Sequence, residues 1–262
     1  MNHTMYQVDA FTDQLFGGNP AAVVILKQWL PDALMQKIAL ENNLSETAFL
    51  CQQGYGYHIR WFTPNSEVDL CGHATLASAH ILFEHLNAEQ FEIRFESRSG
   101  ELSVKRESDW YTLDFPTDQI QASPITDDVI AVLGGVRPQA CFQGKDDCLL
   151  ILDSQAAVEN ILPDLVEIRR HDRRGFIVSA PGDEVDFVSR CFYPAYGIDE
   201  DPVTGSAHTS MAPYWADQLG KLELTARQLS ARGGFLKCRQ LGNRTEISGQ
   251  AVTYMEGTFR IS

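Results

Sequence analysis

Residues 67–84, EVDLCGHATLASAHILFE, place Cys71, Gly72 and His73 directly ahead of a run with almost no polar face. Ala74, Ala77, Ala79, Ile81 and Leu82 recur at helical spacing and leave almost no polar face until His85. A helix that is apolar nearly all round is a buried one. Its first turn carries backbone N–H groups that nothing within the helix can satisfy, which makes that end a ready anion site. A core helix that merely happens to begin with a Cys and a His would look the same in this stretch alone.

A second copy of the pattern narrows the choice. Residues 201–215 read DPVTGSAHTSMAPYW. With Gly72 set on Gly205, Cys71 falls on Thr204, His73 on Ser206 and Ala74 on Ala207. Each segment follows a strand-like run ending in an aromatic-x-Pro step, Phe62-Thr63-Pro64 and Phe192-Tyr193-Pro194. Each is followed at a near-equal interval by a Gly-marked strand pair, at Gly100 and at Gly233-Gly234. A repeat spanning half the chain means a duplicated domain rather than a solenoid. Two buried helix starts, one per half, are then expected to face one cleft, since small-molecule pockets concentrate at domain interfaces.

Length and composition fit this reading. A chain of 262 residues with 44% hydrophobic and 21% charged residues is an ordinary globular composition, enough for one large or two medium domains. A net charge of −14 disfavours a nucleic-acid backbone as partner. No apolar run approaches membrane-span length, and the start, MNHTMYQVDAF, has no signal-peptide pattern, so a cytoplasmic location is expected. The six cysteines are scattered without C-x-x-C pairs, which fits reduced thiols. No metal or nucleotide motif is present, and neither a metal nor a cofactor is expected.

In order, strands are expected at 5–10, 21–26, 44–51 and 57–63, with a helix over 31–42 between the second and third. Antiparallel strands at 91–95, 101–106 and 110–115 close the first half. The best linker is 116–124, which divides the chain into 1–117 and 118–262, with the last strand free to pair with either half. The second half is expected to hold short helices at 127–133 and 154–160, strands at 148–152, 174–179 and 185–193, and a second central helix over 205–219. The basic run 169–174 is expected in a solvated loop.

Two residues stand out from their surroundings. Asn19 lies in a Gly-Gly-Asn-Pro turn, where an Asn amide either presents itself to a ligand or bonds its own backbone. Glu46 shares a strand face with Leu44, Ala48 and Leu50 by period two. A carboxylate there must be paired or carry a raised pKa, as a general acid/base does. The alternative is an edge strand with that face partly solvated.

The segments FGGNPAAVVIL, LSETAFL, WFTPNSEVDLCGHATLASAHIL, DPVTGSAHTSMAPYWADQLGK and LSARGG, in this order, resemble the PhzF family of phenazine-biosynthesis-like isomerases, from about Val8 to Gly234. The resemblance implies an α+β, diaminopimelate epimerase-like fold: two pseudo-symmetric domains, each with a mostly antiparallel sheet wrapped around a central helix. It implies a cofactor-free homodimer acting on a small carboxylic acid, as the PhzF enzyme isomerises dihydro-3-hydroxyanthranilic acid. It makes Glu46 the general acid/base and His73, Asp201 and Ser206 its polar companions. Asn19, Ser45, Gly72 and Gly205 become substrate-binding positions. Asp201 also has an ordinary role as a turn or capping residue ahead of Pro202.

Diaminopimelate epimerase and proline racemase share that fold but use two thiols, one on each side of a stereocentre. Here the first position is Cys71 and the matching one is Thr204, whose hydroxyl is too weak an acid for that work. A single shuttling base, Glu46, is therefore favoured, with Cys71 as a small buried neighbour. An epimerase of amino-acid-like acids with unequal bases, and a non-catalytic interaction protein that kept the fold, are the competing readings.

Overall fold

The computed structural model describes residues 2–86 and 89–261. Two compact units divide the chain, residues 1–114 with 248–262 and residues 115–247.

The first unit runs β1 (Asn2–Ala10), β2 (Asn19–Leu26), α1 (Asp32–Asn42), β3 (Glu46–Gln53), β4 (Gly56–Phe62), β5 (Glu67–Val68), α2 (Gly72–His85), β6 (Glu92–Ser97), β7 (Gly100–Glu107) and β8 (Trp110–Pro116). The second unit runs β9 (Gln121–Ser123), α3 (Asp127–Val132), β10 (Ala140–Gln143), β11 (Asp147–Ile151), α4 (Gln155–Asn160), α5 (Leu165–Arg170), β12 (Gly175–Pro181), β13 (Phe187–Tyr193), β14 (Ile198–Asp201), α6 (His208–Leu219), β15 (Glu223–Gln228), β16 (Gly234–Leu241) and β17 (Arg244–Gly249). β18 (Ala251–Arg260) then pairs antiparallel with β1, which ties the chain end to the first unit.

The pairing pattern repeats between the units. In the first, β1–β2 is antiparallel, β2–β3 parallel, β3–β4 antiparallel, β4–β6 parallel and β6–β7 antiparallel. In the second, β10–β11, β11–β12, β12–β13, β13–β15 and β15–β16 follow the same alternation. The parallel pairs require crossovers, and each unit routes one of them through its longest helix.

That routing explains the helix compositions. Every residue of α2 from Gly72 to Phe83 is buried, and the helix packs against β1, β2, β3 and β18. Full burial of Leu76, Ile81, Leu82 and Phe83 contributes about 1.5–3 kcal/mol each, which a one-sided helix would forgo. α6 packs on β15 and β16 and carries Pro213 in its interior. Proline has no N–H for the Thr209 carbonyl four residues back, and the Asp118 N–H occupies that carbonyl instead.

The second central helix begins later than its sequence pattern suggests. Residues 205–207 form a turn and α6 starts at His208. The carbonyls of Gly205, Ser206 and Ala207 accept from His208, Thr209 and Ser210, a three-residue spacing tighter than an α-helix allows.

Candidate active site

Glu46 opens β3, a strand lying between β2 and β4. Both faces of the strand are buried from Glu46 to Leu50, so the partly solvated edge is not what forms. Glu46 is 8% exposed, a buried carboxylate at the strand's first residue. Ser45 precedes it in a half-buried bend.

His73, in the first turn of α2, meets it. His73 Nε2 lies 3.1 Å from Glu46 Oε2. The two atoms are close enough to be an ion pair but are not aligned as a hydrogen bond, and neither has another hydrogen-bond partner among the described residues. On the other ring nitrogen, Nδ1 contacts Asn19 Nδ2 at 3.3 Å and Cys71 Sγ at 3.5 Å. Asn19 is fully buried as the first residue of β2 and reaches across to α2. Asn19, Glu46, Gly72 and His73 are thus gathered in the first unit, with Cys71 beside them.

Charge and burial oppose each other here. Burial alone would depress the His73 imidazolium, but the Cys71 sulfur and the Glu46 carboxylate outweigh it and hold the ring well above its ordinary value. The Cys71 share requires a thiolate. Burial first, then the Glu46 charge, pushes that thiol up to about 11. At neutral pH it is therefore the Glu46 carboxylate that favours a protonated His73. Glu46, Cys71 and His73 also present oxygen, sulfur and nitrogen atoms all within 4.8 Å of one another, a set of metal-ligand types.

The remaining expected residues lie together in the second unit. Asp201, at the end of β14, is buried and accepts the Thr204 hydroxyl at 2.5 Å. Gln228, fully buried at the end of β15, accepts the Thr204 N–H at 2.9 Å and donates to the Asp201 carbonyl at 2.8 Å. This clamp fixes the turn that carries Gly205 and Ser206. Asp201 thus fills a capping-type role for the turn while presenting a carboxylate beside it.

Arg174 closes the bend 171–174, partly exposed but paired. Its guanidinium Nε donates to Asp147 Oδ1 at 2.8 Å, Nη2 bonds Asp147 Oδ2, and the cation lies over the Tyr193 ring. Nη2 also reaches Ser206 Oγ at 3.4 Å. The other end of the basic run, Leu165–Arg170, is the helix α5, with Arg169 paired to Asp199 at 2.7 Å. Asp147, Arg174 and Gln228 give no sign of these roles in the sequence, because each acts through pairing partners tens of residues away.

The two units differ at one decisive position. Strand register pairs Ala21 with Glu46 across β2–β3 and Asp147 with Gly175 across β11–β12. The next residues pair Thr47 with Phe62 and Phe176 with Phe192. Gly175 is therefore the counterpart of Glu46. A Cβ on Gly175 would stand 2.1 Å from Tyr193 and 2.5 Å from the Phe192 carbonyl oxygen, so no side chain fits there.

This geometry can be set beside known proteins. The family described as PhzC-PhzF, phenazine biosynthesis-like protein, matches residues 8–257. The chain belongs to the PhzC-PhzF family. A Pseudomonas aeruginosa protein named only as an uncharacterized isomerase is 50% identical over 262 residues, covering all of both chains. The crystal structure of a PhzF family protein from Enterococcus faecalis superposes with a TM-score of 0.96 at 45% identity, again over all of both chains. A hydroxyproline epimerase from Agrobacterium vitis, solved with trans-4-hydroxy-L-proline, reaches a TM-score of 0.63 at 12% identity, over 98% of this chain and 92% of that one. That last likeness concerns the fold alone. The fold is the epimerase-like α+β architecture, and the chain is an isomerase of the PhzC-PhzF family.

Proposed function

We propose that this isomerase moves a proton within a small unsaturated or cyclic carboxylic acid, without a cofactor, using Glu46 as its one acid/base. The observation that carries the reading is the inequality of the halves. A buried carboxylate stands at the start of β3 beside His73, while the same position in the second unit is Gly175, closed off by Tyr193. One base that takes a proton from one carbon and returns it to another suits a 1,3- or 1,5-shift. Exchange across a stereocentre needs two bases.

In this mechanism ionised Glu46 removes a proton alpha to a carboxylate or within a dienol. His73, held protonated by the Glu46 charge, steadies the anion that forms and steers its reprotonation. Asp201 and Ser206 complete the polar set. Asn19 and Ser45 help seat the substrate, and backbone N–H groups at Gly72 and Gly205 bind its carboxylate. The chain works as a cytoplasmic homodimer on a free small molecule, with no nucleic acid or membrane involved.

The test is proton NMR in deuterated water with the wild type and Glu46→Gln, using dihydro-3-hydroxyanthranilic acid and a panel of small unsaturated and amino acids. Deuterium at a new carbon, dependent on Glu46, is the expected result. Deuterium at an unchanged stereocentre with loss of optical purity would make the chain an epimerase instead.

A further inference from the structure

We infer that Glu46, Cys71 and His73 form a binding site for a single divalent ion of the zinc class, and that the ion, once bound, blocks the acid/base work of Glu46. The binding part stands without the proposed reaction; the inhibition part rests on it.

The geometry supports one ion rather than three separate contacts. Tetrahedral zinc with bonds of about 2.0–2.3 Å sets its ligand atoms roughly 3.3–3.7 Å apart. Here one ligand atom from each residue lies within 4.8 Å of the other two, with Glu46 Oε2 3.1 Å from His73 Nε2 and Cys71 Sγ 3.5 Å from the opposite ring nitrogen, Nδ1. The two lone pairs of an imidazole point away from each other. A carboxylate at one nitrogen and a sulfur at the other can lie that close only if both sit on one side of the ring. Glu46 Oε2 and His73 Nε2 lie close without a hydrogen bond. A rotation of the His73 ring would bring one nitrogen toward both the carboxylate and the sulfur. The Asn19 amide at Nδ1, turned to present its oxygen, would then hold the ring as partners of metal-bound histidines do.

The chemistry selects the ion. A sulfur, an imidazole and a single carboxylate suit zinc and its neighbours, whereas calcium and magnesium take oxygen ligands. A thiolate and a carboxylate together cancel the charge of a divalent ion, which suits a buried site. Cys71 is the N-cap residue of the 14-residue α2, which fixes its sulfur beside His73. Binding displaces the thiol proton, which is released to solvent. The second unit has no counterpart site, since Thr204, Ser206 and Gly175 replace the three ligands.

The full-length chain, stripped with a chelator, would be titrated with zinc chloride by calorimetry and with cobalt chloride by absorbance. We expect one ion per chain, a thiolate-to-cobalt charge-transfer band, and affinity weakened by about tenfold or more in Cys71→Ser and in Glu46→Gln. Thermal melts would confirm that both variants fold, with Cys71→Ala as the fallback. Cys141 and Cys148, whose sulfurs lie 3.5 Å apart, are the competing thiols, so Cys141→Ser is the control and should bind as the wild type does. Absence of binding at micromolar zinc would overturn the inference, as would binding unchanged by Cys71→Ser or lost in Cys141→Ser. If Glu46→Gln is inactive and the wild type binds no zinc, the site fails and the isomerase reading survives. If the wild type binds zinc and Glu46→Gln turns over normally, the isomerase reading fails and the site survives.

Discussion

The two units share an alternation of parallel and antiparallel strand pairs and a helix-borne crossover, yet they hold different chemistry at matched positions. Where the first has Glu46, Cys71 and His73, the second has Gly175, Thr204 and Ser206. The exchange at the strand start is more than the loss of a side chain. Tyr193 has moved into the space, and its ring carries the Arg174 guanidinium that is paired with Asp147. The duplicated frame thus carries a buried carboxylate at one strand start and a glycine at the other. On the proposed mechanism, this exchange together with Cys71 against Thr204 is what favours one base over the two of a racemase.

The comparison breaks most sharply at Glu46. On the proposed mechanism Glu46→Gln keeps the shape and removes the base, so turnover should fall by about 10²–10⁴-fold with the melting temperature nearly unchanged. A stopped reaction with a collapsed melting temperature would instead mark Glu46 as structural.

The next largest effect concerns what the units have in common. Each buries one neutral histidine on its central helix, His80 in α2 and His208 in α6, and burial lowers both pKa values to about 4. His80 is held between Tyr111 and Thr253 at 2.9 Å each, and His208 Nδ1 donates to the Thr204 carbonyl at 2.9 Å. Each folded pKa lies below the unfolded one near 6.5, so between those values only the unfolded chain takes up the proton. The share of stability that depends on these two histidines should therefore be full above about pH 6.5 and fall toward pH 4 by about 1.4 kcal/mol per pH unit for each. Urea melts across that range would show it, and His80→Gln or His208→Gln should each remove its share of the slope.

Gly175→Ala probes the closed position directly. Its methyl group would overlap Tyr193 and the Phe192 carbonyl, so a loss of about 3 kcal/mol is expected by chemical denaturation. Smallest is Thr204→Val, which removes the hydroxyl donated to Asp201 while keeping the volume. We expect about 2 kcal/mol, read as a shifted denaturation midpoint with an unchanged slope.

Local signals made much of the frame legible in advance. The all-round apolar pattern after Gly72 marks α2 as buried, and the carboxylate in LSETAFL stands out because its neighbours are apolar. The Gly72–Gly205 correspondence reveals the duplication. What stayed hidden depends on distant partners. Arg174 reads as one more charge in a basic run until β11 brings Asp147 beside it. Gln228 is an ordinary strand residue until it clamps Thr204. Gly175 carries no mark of being the counterpart of Glu46, because only the strand register aligns them. The late start of α6 follows from tight carbonyl bonding at 205–207, which helical spacing does not encode.

The most direct test of the one-base account follows the hydrogen itself. A substrate found in the solvent-exchange panel would be labelled with deuterium at the carbon that loses its proton and converted in ordinary water. The account predicts that part of the label reappears at the new carbon of the same molecule, carried there by Glu46, and that Glu46→Gln abolishes both transfer and turnover. Turnover at the wild-type rate in Glu46→Gln, or product inverted at the labelled carbon with every label lost, would contradict it.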